Sequence, residues 1–106
     1  MARVLAVVPD LMLASRVEES LTSAGHEVSV QPLLPDPVGA DAIVCDLDAV
    51  DAEAIASSGV PSLGFYSHVD VETRARAQKA GVDVIVPRSR MARELPGLVD
   101  SLLRDP

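Results

Sequence analysis

The sequence predicts one α/β domain: a five-stranded, all-parallel sheet in the order 2-1-3-4-5, with helices on both faces. Three observations predict it. Short runs of residues are apolar throughout, as strands covered on both sides must be. Most of the segments between them repeat apolar residues at three- and four-residue spacing, the period of a helix with one buried face. The two kinds of segment alternate, and alternation places crossover helices against parallel strands.

Residues 3–8 form the first expected strand, with Val4, Leu5, Ala6, Val7 and Val8 in succession before Pro9. Asp10 is placed to cap a helix over about 11–24, whose apolar positions are Ala14, Val17, Leu21 and Ala24. Gly25 ends it. Residues 27–31 alternate, with Val28 and Val30 on one face, and read as an edge strand. The next stretch holds Pro32, Pro35 and Pro37, which exclude a normal helix. A strand over 41–47 follows at once, so the helix between strands two and three is expected to be missing or degenerate.

Asp51 can cap a short helix over 52–57, closed by Gly59. Pro61 leads into a strand over 62–66, followed by the polar residues Ser67, His68 and Asp70. A helix is expected over about 71–80, with Ala75, Ala77 and Ala80 inward, and Gly81 after it. The fifth strand is 82–86. A final helical segment starts near Ser89, and Pro96-Gly97 is expected to interrupt it or to open its main part. Five strands joined by right-handed crossovers make the flavodoxin-like order the leading topology.

The bulk numbers narrow function. A chain of 106 residues fits a single domain over 1–106. Its formal net charge is −7, from 16 carboxylates against 9 Lys plus Arg, which repels nucleic acid backbones. The aromatic residues are Phe65 and Tyr66, so base or sugar stacking has little to work with. Cys45 is a single cysteine within a strand, which suits a small buried hydrophobe in a reducing compartment. No apolar run approaches the length of a membrane span, and the residues before Pro9 are too few for a signal peptide. A cytoplasmic location without membrane contact is the expectation.

The chemistry concentrates in Asp41-Ala-Ile-Val-Cys-Asp-Leu-Asp48. Asp46 falls where the third strand emerges at its carboxyl end, the edge at which open α/β sheets collect ligands. It reads as a phosphate acceptor, a metal ligand or a solvated strand end.

Several pieces then resemble the receiver domain of bacterial response regulators (CheY-like), in order and at near-correct spacing. Asp41-x-x-x-x-Asp46 is similar to that family's third strand, and Val60-Pro61 to the entry into its fourth. Ala77-x-x-Ala80-Gly81-Val82-Asp83 is similar to its following helix ending, and Leu21-x-x-x-Gly25 with Val28 to the end of its first helix. The resemblance implies a signalling domain rather than an enzyme, with Asp46 as phosphoacceptor. It implies Mg²⁺ held by an acidic pair after strand one, but those places fall on Val8 and Pro9, with Asp10 just beyond; Asp10 and Asp46 are the candidate metal ligands. The family's switch hydroxyl falls on Tyr66, with Ser67 next, and its lysine falls on Arg88. The chain therefore resembles an atypical receiver or pseudo-receiver.

The implied partners are a histidine kinase or an output protein. A second copy could pair through the helix over 71–80, strand five and the last helix. The expected role is a stand-alone module of a two-component-type phosphorelay. The alternative is a pseudo-receiver that binds a partner or small ligand without phosphorylation. A small hydrolase using Ser67, His68 and Asp46 is a third reading, although no Gly-x-Ser-x-Gly elbow is present. Asp48 reads as a turn residue and Asp51 as a cap, and with Asp10 and Asp46 they could make an acidic rim; Arg88, Arg90 and Arg93 form a basic group near it, and His26 is expected to be exposed.

Overall fold

The computed structural model describes residues 2–67 and 71–104. The apolar runs become strands β1 (Arg3–Val7), β2 (Glu27–Gln31), β3 (Ala42–Asp46), β4 (Ser62–Tyr66) and β5 (Val84–Pro87). They pair in parallel in the order β2-β1-β3-β4-β5. The helices are α1 (Leu11–Ser23), α2 (Ala52–Ser57), α3 (Val71–Ala80) and α4 (Arg88–Arg104). Among the described residues no helix lies between β2 and β3.

Side chains alternate across the sheet and feed two cores. Val4, Ala6, Ala42, Val44, Leu63, Phe65 and Val86 pack with Leu13, Val17 and Leu21 of α1 and with Met91, Leu95, Val99 and Leu102 of α4. On the other face Leu5, Val7, Ile43 and Cys45 pack with Ile55 of α2 and Ala77 of α3. Leu34, Val38 and Ala40 of the proline-rich connection lie against this second core. The connection thus covers part of the sheet as an extended strap, without a helix.

Local chemistry sets the helix ends. The Asp10 carboxylate accepts from the Met12 and Leu13 N–H groups at 3.0 and 3.1 Å and caps α1. Asp51 accepts from Glu53 N–H at 3.2 Å and caps α2. Gly81, at φ 101°, takes the left-handed turn after α3 that a side chain would resist. Gly64 serves packing instead, because a Cβ there would lie 2.6 Å from Leu47 Cγ.

Four expectations are corrected. The final helix is one continuous element through Pro96 and Gly97. Burying Met91, Leu95, Val99 and Leu102 gains roughly 1.5–3 kcal/mol per side chain, which outweighs the ~3 kcal/mol cost of one internal proline. Ala24 caps the end of α1 and is exposed, while Leu13 takes the inward position. Ala75 is exposed, and Thr73 joins Ala77 on the buried face of α3. The His26 side chain is only 7% exposed. Its Nδ1 accepts from Ala2 N–H at 3.3 Å and its Nε2 donates to Asp100 at 3.2 Å, which ties the start of β1 to α4.

Candidate functional site

The carboxyl ends of β1, β3, β4 and β5 share one edge of the sheet, since Asp46 stands opposite Phe65 and Tyr66 opposite Pro87. Strand β3 is buried along Ala42–Cys45 and emerges at Asp46. Strand alternation sends the Asp46 side chain to the same side as Val44, the side covered by α1 and α4. Its backbone carbonyl accepts from Ala49 and Val50 N–H groups at 3.1 and 3.0 Å, which fixes the turn leaving the strand. Its Oδ1 accepts from Asp48 N–H at 3.0 Å.

Asp48 reaches across to the end of β4. Its Oδ2 accepts from both the backbone N–H and the hydroxyl of Ser67, each at 2.7 Å. Asp46, Asp48 and Ser67 are therefore linked through one short hydrogen-bonded turn. Arg88 opens α4 directly after β5, and Asp10 opens α1 after β1. Both act on Asp46 through charge.

These surroundings set the acidity of Asp46. Half-burial pushes its carboxyl above the ordinary value, and the nearby Asp48 and Asp10 charges push the same way. The Asp48 N–H bond and the Arg88 charge oppose them without cancelling them. Next to it Cys45 is fully enclosed, and burial, with the Asp46 charge adding to it, lifts its thiol to about 12. A thiol so protected is neutral and inert at physiological pH.

The donor set does not fit the magnesium site that the resemblance implies. Val8, at 1% exposure, is a core residue with no oxygen donor in its side chain, and Pro9 has none either. Asp10 spends Oδ1 on the α1 cap. Among the described residues no three His, Cys, Asp or Glu side chains come together to hold a metal.

The other candidates scatter. Tyr66 is buried at the end of β4. Arg90 pairs with Glu94 at 3.3 Å, and Arg93 donates to the Ser89 carbonyl at 3.4 Å, so Arg88 alone of the three acts on Asp46. The Ser67 hydroxyl is given to Asp48; His68 and Asp70 lie outside the described residues. Sequence reading placed Asp48 in a turn and missed its hold on Ser67, a contact between residues 19 apart in the chain. It also missed a groove of about 370 Å³ between α1 and α4, floored by Leu13, Val17, Met91 and Leu95 and edged by Arg16 and Arg88.

The whole arrangement is similar to solved receiver domains. The Francisella response regulator 1452 receiver domain superposes with a TM-score of 0.81 at 18% identity, over 98% of each chain. The non-phosphorylated HemR receiver domain from Leptospira biflexa gives 0.80 at 21% identity, over 98% of this chain and 95% of that one. A CheY-like receiver domain protein from Methanospirillum hungatei gives 0.82 at 16% identity, over 97% and 94%. No family model matches the sequence, and no curated protein matches it.

Proposed function

Because the chain folds as a response regulator receiver domain, we propose that it is a receiver-type signalling module of a two-component pathway. It works by docking on proteins, with Asp46 as the residue that accepts phosphate. One observation carries the reading. Asp46 ends the central strand, half-buried, with the Arg88 charge and the Ser67–Asp48 pair on the same sheet edge. Arg88 supplies the counter-charge to a phosphoryl group, and Ser67 supplies the hydroxyl that can turn to it on leaving Asp48. Leu11 and Met12 are 82% and 75% exposed beside Asp10, apolar surface suited to a histidine kinase or output protein. The face of α3, β5 and α4 is the second contact surface, for an output protein or another copy.

A specific observation favours a second reading, a pseudo-receiver whose contacts need no phosphate. Val8 is buried where an acidic ligand would be required, and the Ser67 hydroxyl is already engaged. Incubation with beryllofluoride or acetyl phosphate, with and without Mg²⁺, separates the two. The phosphoacceptor reading expects an adduct or an amide-shift pattern centred on Asp46 and Ser67 that vanishes in Asp46→Asn. Binding of a partner with no such change, and equally by Asp46→Asn, selects the pseudo-receiver.

A further inference from the structure

We propose that the free edge of β2 is a self-pairing surface, on which a second copy of this chain docks antiparallel about a two-fold axis through Ser29. The inference concerns a strand at the rim of the sheet and does not depend on phosphate at Asp46.

Strand β2 has a single neighbour in the sheet, β1. The two run in register from Arg3 opposite Glu27 to Val7 opposite Gln31, and Glu27 N–H donates to the Ala2 carbonyl at 2.9 Å. In a parallel ladder a residue turns its N–H and C=O to the same side, and successive residues turn them to opposite sides. Glu27, Ser29 and Gln31 therefore spend their backbone groups on β1. Val28 and Val30 turn theirs to the open rim.

A two-fold axis at Ser29 uses those groups. It sets Val28 of each chain opposite Val30 of the other, and each such pair exchanges two backbone hydrogen bonds. The side chains agree with the same axis. Glu-Val-Ser-Val-Gln is close to a palindrome, so valine meets valine on one face. On the other face serine meets serine, and the Glu27 carboxylate meets the Gln31 amide, not a second carboxylate. Although the chain carries a net −7, Glu27 is locally balanced by Arg3 at 3.4 Å.

The rim is also open. No lysine, proline or bulge lies within Glu27–Gln31 to block a partner strand. Among the described residues no helix lies between β2 and β3; the strap residues Pro35, Gly39 and Ala40 line a groove with Ser29 and Gln31, and Leu33, just beyond the strand, is 77% exposed and available to an approaching copy. The opposite rim is less suited, since β5 has four residues and ends on Pro87.

Cross-linking tests the pairing. Ser29→Cys under mild oxidation is expected to form a reducible dimer of twice the 11.1 kDa monomer mass. Glu27→Cys alone forms no cross-link, while Glu27→Cys mixed with Gln31→Cys gives the cross-linked dimer. Cys45, at 0% exposure, does not compete. Sedimentation over a range of concentrations is expected to show a mass that rises in the wild type and stays at the monomer in Ser29→Lys, a change at an exposed position. The proposal is overturned if Ser29→Cys cross-links no faster than Glu27→Cys. It is equally overturned if Ser29→Lys associates as the wild type does, which would move any dimer to another face.

Discussion

Asp46 sits in a crowd of its own sign. Burial raises its carboxyl most, the Asp48 and Asp10 charges add to that, and Arg88 is the cation that opposes them. A carboxyl raised in the folded state holds its proton more tightly there than in the unfolded chain. As pH climbs through the unfolded value and then the folded one, the wild type therefore loses stability. Replacing Asp46 by Asn removes that loss and keeps an oxygen to accept from Asp48 N–H. At about pH 7 the variant is expected to be the more stable by no more than about 1 kcal/mol, because water screens a half-exposed group. Below the ordinary carboxylate range the two proteins converge. Urea midpoints across acid and neutral pH measure this, and a neutral-pH loss in the variant would contradict it.

Among the elements, α4 shows most clearly how burial overrides local preference. It carries Pro96 and Gly97 in its middle and stays helical because its apolar stripe faces the sheet. Gly97 is exposed, its added Cβ would meet nothing within 4 Å, and its φ is not positive. Gly97→Ala is therefore expected to raise stability by about 0.5–1 kcal/mol, seen as a higher melting temperature. The same element marks where sequence reading stops. Strands over 27–31 and 62–66 and helices over 52–57 and 71–80 were legible, since apolar runs, caps and glycines punctuate them. Continuity through Pro96 was not, because it rests on contacts with β3, β4 and β5. Asp46 was legible from its place after an apolar run. The Asp48–Ser67 bond was not, because β4 must first pair with β3 to bring its end alongside.

For the whole molecule, charge is the main opposing force. Sixteen carboxylates face nine Lys plus Arg, and the pairs Arg3–Glu27 and Arg90–Glu94 both join exposed groups. Repulsion within this excess of negative charge is long-ranged at low salt and screened within about 8 Å at physiological ionic strength. The melting temperature is expected to rise by roughly a few degrees between ~10 mM and ~300 mM sodium chloride. A fall over that range would mean that attractive pairs outweigh the excess. The same excess repels nucleic acid backbones. Among the described residues no helix is long and apolar enough to cross a membrane.

The bare connection after β2 also bears on how the sheet assembles. Elsewhere each strand returns to the sheet through a helix packed on it, as in β3-α2-β4 and β4-α3-β5. Between β2 and β3 the chain offers only a strap, so the two halves meet by closing β1 against β3 across 34 intervening residues, 8–41. The C-terminal βαβ units are therefore expected to form the folding nucleus, with β1-α1-β2 docking onto it as a second unit. Strand β2 then joins the sheet with its own unit, held through β1 and α1.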